Sequence, residues 1–236
     1  MSYKVEKNKL TQLFSPIDNQ VNITDAPLPK GSYYIWIIVG KRGSGKSNLI
    51  LNALGNKEAY KKYYDNIYLV SPTASKDSKF EKLCEELDRE DKCYDECSDK
   101  IISEIVDKIT AFNDNYKKKG KPRNLLILDD CLAQLPRSTQ KNSAFNKLIV
   151  GNRHAKLDIW ITTQQFKKVN PLIRANADLV SFFANDNVME RKAFLDEYGI
   201  SEELLDDATG EKHSFLHISF NSNKPTYYKR FDKYII

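Results

Sequence analysis

The chain has 236 residues, of which 41% are hydrophobic and 29% charged, so it can bury one substantial core. Its longest apolar run, residues 33–39, is far too short to span a bilayer, and residues 1–10 are too polar for a secretory signal. The formal net charge of +5 permits a polyanionic partner without identifying one. We therefore expect a soluble, intracellular protein with no membrane partner.

Strand and helix patterns alternate along most of the chain. Residues 1–30 show no strong hydrophobic periodicity, and we predict that they form an N-terminal arm or edge strand. The core is predicted to begin at residue 31. Runs of β-branched, aromatic and aliphatic residues predict buried strands at residues 33–39, 66–70, 125–128, 157–163 and 179–183. Helical stretches are predicted at residues 46–54, 79–87, 99–113 and 138–152. This alternation implies crossover connections and a mostly parallel sheet, hence an α/β sandwich domain over residues 31–236.

The C-terminal residues predict a different geometry. Leu216, Ile218 and Phe220 alternate with polar residues, and a polar turn at residues 221–223 leads to a further strand at 226–231. This pattern is typical of a hairpin. We therefore expect an antiparallel extension at one edge of the parallel sheet.

An acidic segment at residues 85–99 interrupts the alternation, and we interpret it as a solvated insertion. The four cysteines, at positions 84, 93, 97 and 131, are expected to be reduced thiols. The first three are also candidate zinc ligands, with Cys93 and Cys97 spaced C-x3-C, although the second C-x2-4-C pair that is usual in zinc sites is missing.

The most specific motif is G-x4-G-K-S at residues 40–47, which follows a predicted strand and opens a predicted helix. Its spacing lets a tight loop turn backbone N–H groups around closely spaced phosphates. The Lys46 ammonium would reach the β- and γ-phosphates, and the Ser47 hydroxyl would ligate Mg²⁺. The predicted nucleotide-binding residues are Gly40, Arg42, Gly43, Ser44, Gly45, Lys46, Ser47 and Asn48.

Two carboxylates, Asp129 and Asp130, follow the apolar run at residues 125–128. Asp129 is placed to hold Mg²⁺ through water, and Asp130 to orient and activate the attacking water. An isolated pair of this kind would more simply cap the next helix, but its combination with the phosphate loop favours catalysis.

Gln164 directly follows the strand predicted at residues 157–163. Parallel strands deliver their C-terminal ends to one edge, so Gln164 is placed to sense the γ-phosphate; an ordinary loop amide is the alternative. Arg153 and Arg174 flank this strand, and either can bring a guanidinium to the charge that develops on the transferred phosphoryl group, in the same or an adjacent subunit. A plain surface ion pair is the alternative for each arginine.

Together these stretches resemble the FtsK/HerA superfamily of DNA-pumping ATPases, and within it the genome-packaging ATPases of poxviruses, other large DNA viruses and virophages. The resemblance rests on four stretches, at residues 37–47, 67–73, 125–130 and 151–164, with a further piece at 171–177. It covers residues 33–183. One departure is Asp130, because many members of the superfamily have glutamate at this position.

The resemblance implies a RecA-like P-loop fold of the ASCE class, a three-layer sandwich that uses ATP and Mg²⁺. It also implies a homo-oligomeric ring, of five or six subunits, that drives double-stranded DNA into a viral capsid at a portal-like vertex. The implied location is the host cytoplasm or a viral factory, or the virion. The basic residues 117–123 precede the Asp129 strand and should lie at the edge opposite the nucleotide, where they form either a DNA phosphate contact or a solvated loop.

Three other classes of protein remain as alternatives. A nucleotide or small-molecule phosphotransferase uses the same loop, but the sequence has no lid signature. A GTP-binding switch needs Asn-Lys-x-Asp, whereas Asn146 and Lys147 are followed by Leu148 and Ile149. A binding or scaffold protein would keep the loop and hydrolyse nothing.

Overall fold

The computed structural model describes residues 26–72, 80–135 and 143–235. The strands are β1 (Ile35–Val39), β2 (Asn66–Val70), β3 (Cys93–Tyr94), β4 (Asn124–Asp129), β5 (Leu157–Thr163), β6 (Leu179–Phe183), β7 (Phe215–Ser219), β8 (Thr226–Lys229) and β9 (Asp232–Lys233). The helices are α1 (Lys46–Gly55), α2 (Glu81–Asp88), α3 (Asp99–Asp114), α4 (Ala144–Gly151), α5 (Pro171–Asn176), α6 (Val188–Tyr198) and α7 (Glu202–Thr209).

All of these strands join one sheet, in the order β3-β2-β4-β5-β1-β6-β7-β8-β9. The six strands from β3 to β6 pair in parallel, and β7, β8 and β9 add to β6 in antiparallel fashion. The mostly parallel sheet and its antiparallel C-terminal extension are therefore confirmed. Strand β5 lies between β1, which leads into the phosphate loop, and β4, which ends in Asp129.

Two hydrophobic cores flank the sheet because successive side chains of a strand point to opposite faces. In β1, Ile35, Ile37 and Val39 pack in the core that contains the buried residues of α3 to α7. Trp36 and Ile38 pack on the other face, against α1 and α2. Helices thus cover both faces, which confirms the three-layer sandwich and explains why the parallel strands are apolar throughout.

Part of the acidic segment is structured, which corrects its interpretation as a solvated insertion. Cys93 and Tyr94 form β3, which pairs in parallel with β2, and Cys97 is buried. The sulfur atoms of Cys84 and Cys93 lie 2.9 Å apart, and Cys131 is buried as well. Among the described residues, no group of three or more His, Cys, Asp or Glu side chains is arranged to hold a metal ion.

Residues 26–32 lead across one face of the sheet into β1. The Pro27 carbonyl lies 2.8 Å from Nε2 of His217, and because a carbonyl only accepts, Nε2 carries the proton. Nδ1 then accepts from the Ser181 hydroxyl at 2.8 Å, and that hydroxyl accepts from the Trp36 indole at 3.0 Å. Burial lowers the pKa of His217 to about 4, so the ring is neutral at pH 7.

Some of the sequence predictions fall outside the described residues. They include most of the N-terminal arm, the beginning of the helix predicted at 79–87 and the first part of the helix predicted at 138–152. The division of the chain at residue 30 stays a prediction. None of the helices in the described part of the chain is long and apolar enough to cross a bilayer.

Candidate nucleotide site

The phosphate loop connects β1 to α1 and is tied to the end of β5. The Gly40 N–H donates to the Thr163 carbonyl at 3.0 Å. A Cβ atom at Gly40 would collide with the Ser44 hydroxyl and would lie 2.9 Å from Cβ of Phe183. Gly45 has a φ of +115°, a backbone conformation that residues other than glycine rarely adopt. The motif glycines thus permit a backbone path that larger residues would block.

The N-terminus of α1 differs from those of α3 and α4. Ser98 and Ser143 cap α3 and α4 through their hydroxyl groups, whereas no side chain caps α1, whose cap residue is Gly45. The first turn of α1 also contains no acidic residue. The positive end of the helix dipole is therefore directed at the loop without a capping side chain, which suits an anionic ligand.

Lys46 folds back over the loop. Its side-chain ammonium donates to the Gly40 carbonyl at 2.7 Å and to the Lys41 carbonyl at 3.3 Å, and the residue is 9% exposed. Ser47 follows in the first helical turn and is half-buried, while Arg42 and Asn48 are exposed. The structure therefore places Lys46 and Ser47 at the inner side of the loop region and leaves Arg42 and Asn48 at its surface.

Asp129 is the last residue of β4 and is 5% exposed. Its Oδ1 accepts from the Thr162 hydroxyl at 2.6 Å, and its Oδ2 accepts from the Ser71 hydroxyl at 3.0 Å. Burial raises the pKa of Asp129, and these two hydrogen bonds, together with the charge of Lys46, oppose that rise. The carboxylate is therefore held in one orientation and lies within electrostatic range of Lys46.

Asp130 and Gln164 meet at the same edge of the sheet. Asp130 has a φ of +50°, and its N–H donates to the carbonyl of Thr162 at 3.2 Å and to the hydroxyl of Thr162 at 3.1 Å. The Gln164 amide donates to Oδ2 of Asp130. Both side chains line a cavity of about 240 Å³, together with Lys168. Since β5 alone separates β1 from β4, the loop and the carboxylates lie within roughly 10 Å of each other across the sheet.

Arg153 lies at the opposite edge of the sheet. Its guanidinium pairs with Oδ1 of Asp178 at 2.9 Å, and Oδ2 of Asp178 accepts from the N–H of Ile35, the first residue of β1. The five residues of β1 therefore separate Arg153 from the phosphate loop, by roughly 15 Å. Within one chain Arg153 forms an ion pair and does not reach the loop.

Arg174 is also engaged elsewhere. Its guanidinium lies 3.2 Å from the Glu197 carboxylate and 5.4 Å from the ring centre of Phe166, and 18% of its side chain is exposed. It does not line the cavity at Gln164. The structure thus brings together the loop, Asp129, Asp130 and Gln164 but neither arginine, and a role of either arginine in an adjacent subunit stays a prediction.

Sequence reasoning missed several residues at this site. Ser71 follows β2 and Thr162 lies near the end of β5, the two strands that flank β4, and both side chains hold Asp129. Their positions at the ends of apolar runs could have indicated this role. Lys168 lines the cavity with Asp130, and no motif in the sequence singled it out. His213 lies 3.0 Å from the Ser44 carbonyl across 169 positions of sequence, and no local pattern indicates this contact.

The sequence profile of the family described as "Poxvirus A32 protein" matches residues 27–195, which contain every one of these strand-end residues. The chain belongs to this family. Membership confirms the predicted resemblance to viral packaging ATPases of the FtsK/HerA type. His213 and the strands β7 to β9 lie beyond the matched residues.

The chain is also similar to individual viral proteins. The uncharacterized protein 088R of Invertebrate iridescent virus 3 is 27% identical over 199 residues, which cover 79% of this chain and 70% of that protein. The genome packaging NTPase B204 of Sulfolobus turreted icosahedral virus 2, solved with ATP-gammaS, aligns with a TM-score of 0.61 at 19% identity and covers 84% of this chain and 98% of its own. B204 of Sulfolobus Turreted Icosahedral Virus, described as a DNA-packaging ATPase, aligns with a TM-score of 0.62 at 20% identity over 83% and 96% of the two chains. At these identities the structural likeness shows a shared fold.

Proposed function

We propose that the chain is a Mg²⁺-dependent ATPase that works as a ring and translocates double-stranded DNA into a viral capsid. The observation that carries the proposal is the convergence of the phosphate loop, Asp129, Asp130 and Gln164 at one edge of the sheet. The two B204 proteins, one solved with an ATP analogue and the other described as DNA-packaging, support both the nucleotide and the DNA. The capsid or portal-like vertex is part of the same proposal.

The phosphates of ATP are assigned to the loop at residues 40–47. Backbone N–H groups and the uncapped N-terminus of α1 would surround them, and Lys46 would exchange its carbonyl contacts for the β- and γ-phosphate oxygens. The ammonium already lies at the loop, so this exchange needs only a local side-chain movement. Adenine preference rests on the family resemblance and on the ATP analogue bound to B204.

Mg²⁺ is assigned to Ser47 and, through water, to Asp129. The residues fit this ion, because a carboxylate has about four acceptor positions and the hydroxyls of Thr162 and Ser71 use one on each oxygen of Asp129. Oxygen donors of this kind are what Mg²⁺ prefers. When bound, Mg²⁺ would neutralise charge that develops between the β- and γ-phosphates.

Asp130 and Gln164 are assigned to the attacking water. Gln164 donates to one carboxylate oxygen of Asp130, which leaves the other oxygen to accept the proton of water. The left-handed backbone of Asp130, fixed by Thr162, sets the direction of this carboxylate. The aspartate thereby takes the role that glutamate has in many members of the superfamily.

Turnover with and without double-stranded DNA tests this proposal. We expect DNA-stimulated ATP hydrolysis that is lost in both Lys46→Ala and Asp130→Asn, with nucleotide affinity falling mainly in the first. Lys41→Ala is the matched control, because Lys41 is an exposed loop lysine that pairs with Asp186. Hydrolysis indifferent to DNA and to Asp130→Asn would reject the motor and favour the phosphotransferase, which would pass phosphate to a metabolite.

Mixing two inactive variants tests the ring and the role of Arg153 in an adjacent subunit. Subunits with Lys46→Ala keep Arg153, and subunits with Arg153→Ala keep the phosphate loop, so mixed rings would regain part of the activity. The same mixture made with Arg174→Ala compares the two arginines. Light scattering with ATP and Mg²⁺ would give five or six subunits if the ring assembles, and a monomer that remains fully active would contradict it.

A further inference from the structure

His213 connects the C-terminal extension to the phosphate loop. It lies in the turn between α7 and β7, and its Nδ1 is 3.0 Å from the Ser44 carbonyl oxygen. Because that oxygen only accepts, Nδ1 carries the proton and donates it to Ser44. Ser44 belongs to the phosphate-loop motif, whereas His213 lies outside the residues matched by the family profile and outside every motif in the sequence.

Because the Ser44–Gly45 peptide is planar, the contact with His213 also determines where the Gly45 N–H points. In a trans peptide the C=O of one residue and the N–H of the next point in opposite directions. A hydrogen bond that holds the Ser44 carbonyl toward His213 therefore turns the Gly45 N–H away from His213. A peptide flipped by 180° would instead direct the Ser44 carbonyl oxygen to that side, where it would repel an anion.

The surroundings of Gly45 agree with this arrangement. A Cβ atom on Gly45 would lie 3.6 Å from Nδ1 and 3.8 Å from Cβ of His213, so the imidazole packs along one side of this residue. Gly45 has a φ of +115° and is the cap residue of α1, which no side chain caps. The backbone here is intrinsically permissive, and His213 supplies the side-chain contact that selects one orientation.

The sheet register places His213 where this contact is possible. Phe215, two residues further on, pairs with Phe183 in the antiparallel β6–β7 ladder, and Phe183 lies against Gly40. The antiparallel extension is thereby anchored beside the loop by its strand pairing. The His213 backbone itself has a φ of +60°, which directs the turn.

We propose that His213 is a positioning residue of the nucleotide site, which fixes the Ser44–Gly45 peptide so that the Gly45 N–H faces the phosphates of the ligand. The proposal rests on nucleotide binding at this loop, as proposed above, and adds a role for the C-terminal extension. A single neutral hydrogen bond of this kind corresponds to a loss of affinity of about 3- to 10-fold when it is removed.

Two substitutions distinguish the effect of losing the hydrogen bond from the effect of strain in the backbone of residue 213, which has a positive φ. Both Asn and Gly accept a positive φ, but only Asn offers a side-chain N–H near the place of Nδ1. We expect His213→Gly to weaken binding of Mg²⁺–ATP-gammaS about 3- to 10-fold and to raise KM with little change in kcat, and His213→Asn to stay within about twofold of the native chain. Equal affinity of the Gly variant and the native chain, or equal losses in both variants, would overturn the proposal.

Pyrophosphate is the second probe, because it carries phosphates and no base. The same relative loss for pyrophosphate and for ATP-gammaS in His213→Gly would support a role at the phosphates, whereas a loss confined to ATP-gammaS would assign His213 to the base and overturn the proposal. Circular dichroism and thermal unfolding would establish that both variants fold. Failure of the motor proposal is distinguishable, since it would show as hydrolysis by the native chain without DNA stimulation while the differences in affinity persist.

Discussion

The two edges of the parallel sheet both contain buried carboxylates, but they use them differently. At the amino edge, Asp158 is 2% exposed and accepts from the Tyr34 N–H at 3.0 Å and from the Tyr64 hydroxyl at 2.7 Å. Asp178 at the same edge accepts from the Ile35 N–H and pairs with Arg153. The hydrogen-bond partners of both carboxylates thus come from the protein itself. By accepting from the N–H groups of Tyr34 and Ile35, the two carboxylates fix the beginning of β1.

At the carboxyl edge, Asp129 is held by two hydroxyl groups and lies within electrostatic range of an ammonium at a helix end without a side-chain cap. Asp130 beside it is exposed and contacts an exposed amide. Burial of a carboxylate therefore does not by itself identify the edge of the proposed nucleotide site. In the proposed function, what distinguishes the carboxyl edge is that the protein orients its hydrogen-bond donors and acceptors toward the nucleotide.

The largest effect that separates the edges is expected in turnover. Asp129→Asn removes a negative charge from the proposed metal site, and we expect the rate of ATP hydrolysis to fall by about 10²- to 10³-fold, as for loss of one oriented electrostatic group in an active site. Asp158→Asn is the matched variant at the amino edge, and its turnover should stay within about twofold of the native chain. Steady-state hydrolysis at saturating ATP checks both, and similar losses in the two variants would remove the distinction.

The next effect concerns the segment 26–32, which leads into the amino edge and which His217 anchors. The pKa of His217 is about 4 in the folded chain and 6.5 without burial, so the unfolded chain binds this proton more readily. The stability that the neutral ring contributes is complete above pH 6.5 and is lost as pH falls from 6.5 to 4, by up to about 3 kcal/mol. Urea unfolding at pH 7 and pH 4 measures this difference, and His217→Gln should reduce it; an unchanged difference would exclude His217 as its source.

A smaller effect is expected from Tyr64→Phe, which removes one donor to the buried Asp158. The unfolding free energy should fall by about 1 to 2 kcal/mol, because a buried acceptor loses a partner. Turnover per folded molecule should not change. Tyr33→Phe is a useful comparison, since its hydroxyl donates to the Pro122 carbonyl at a less buried place. Loss of turnover in Tyr64→Phe would show that the amino edge contributes to the chemistry.

The smallest effect on stability is expected at the basic cluster of residues 117–123. Lys118 pairs with Asp65, but 71% of its side chain is exposed, so solvent screens the pair and Lys118→Ala should leave the unfolding free energy nearly unchanged. If the cluster binds DNA, the variant would instead lower the salt dependence of DNA affinity by about one phosphate contact. An unchanged salt dependence would leave the cluster as a solvated loop.

The sequence predicted those strands and helices whose own pattern of apolar residues is enough to determine their structure. The bounds of β2, β5 and β6 agree with the predicted strands, because buried parallel strands are apolar throughout. Strand β3 has two residues and is defined only by its pairing with β2, so no hydrophobic pattern in the sequence predicts it. Helix α6 was missed for a related reason, since it buries Glu190, which accepts from the Lys167 N–H and breaks the apolar period.

The site was predictable where residues directly end parallel strands. Asp129, Asp130 and Gln164 meet as expected, because the ends of β4 and β5 share an edge. Arg153 precedes β5 and therefore lies at the other edge, although its closeness in sequence to Gln164 suggested otherwise. The contact of His213 depends on β7 pairing with β6 in the observed register; local sequence predicted an antiparallel extension but not the strand that it joins.

The two margins of the nine-stranded sheet have a consequence for assembly. Within the described residues, the outermost strands, β3 and β9, have two residues each, and both residues of β9 are exposed and charged. Such short margins expose little backbone for another chain to extend by strand pairing. In the proposed ring, contacts between copies of this domain would therefore form through side-chain surfaces, which can separate and re-form more readily than paired strands. Growth into fibrils along either of these margins is disfavoured.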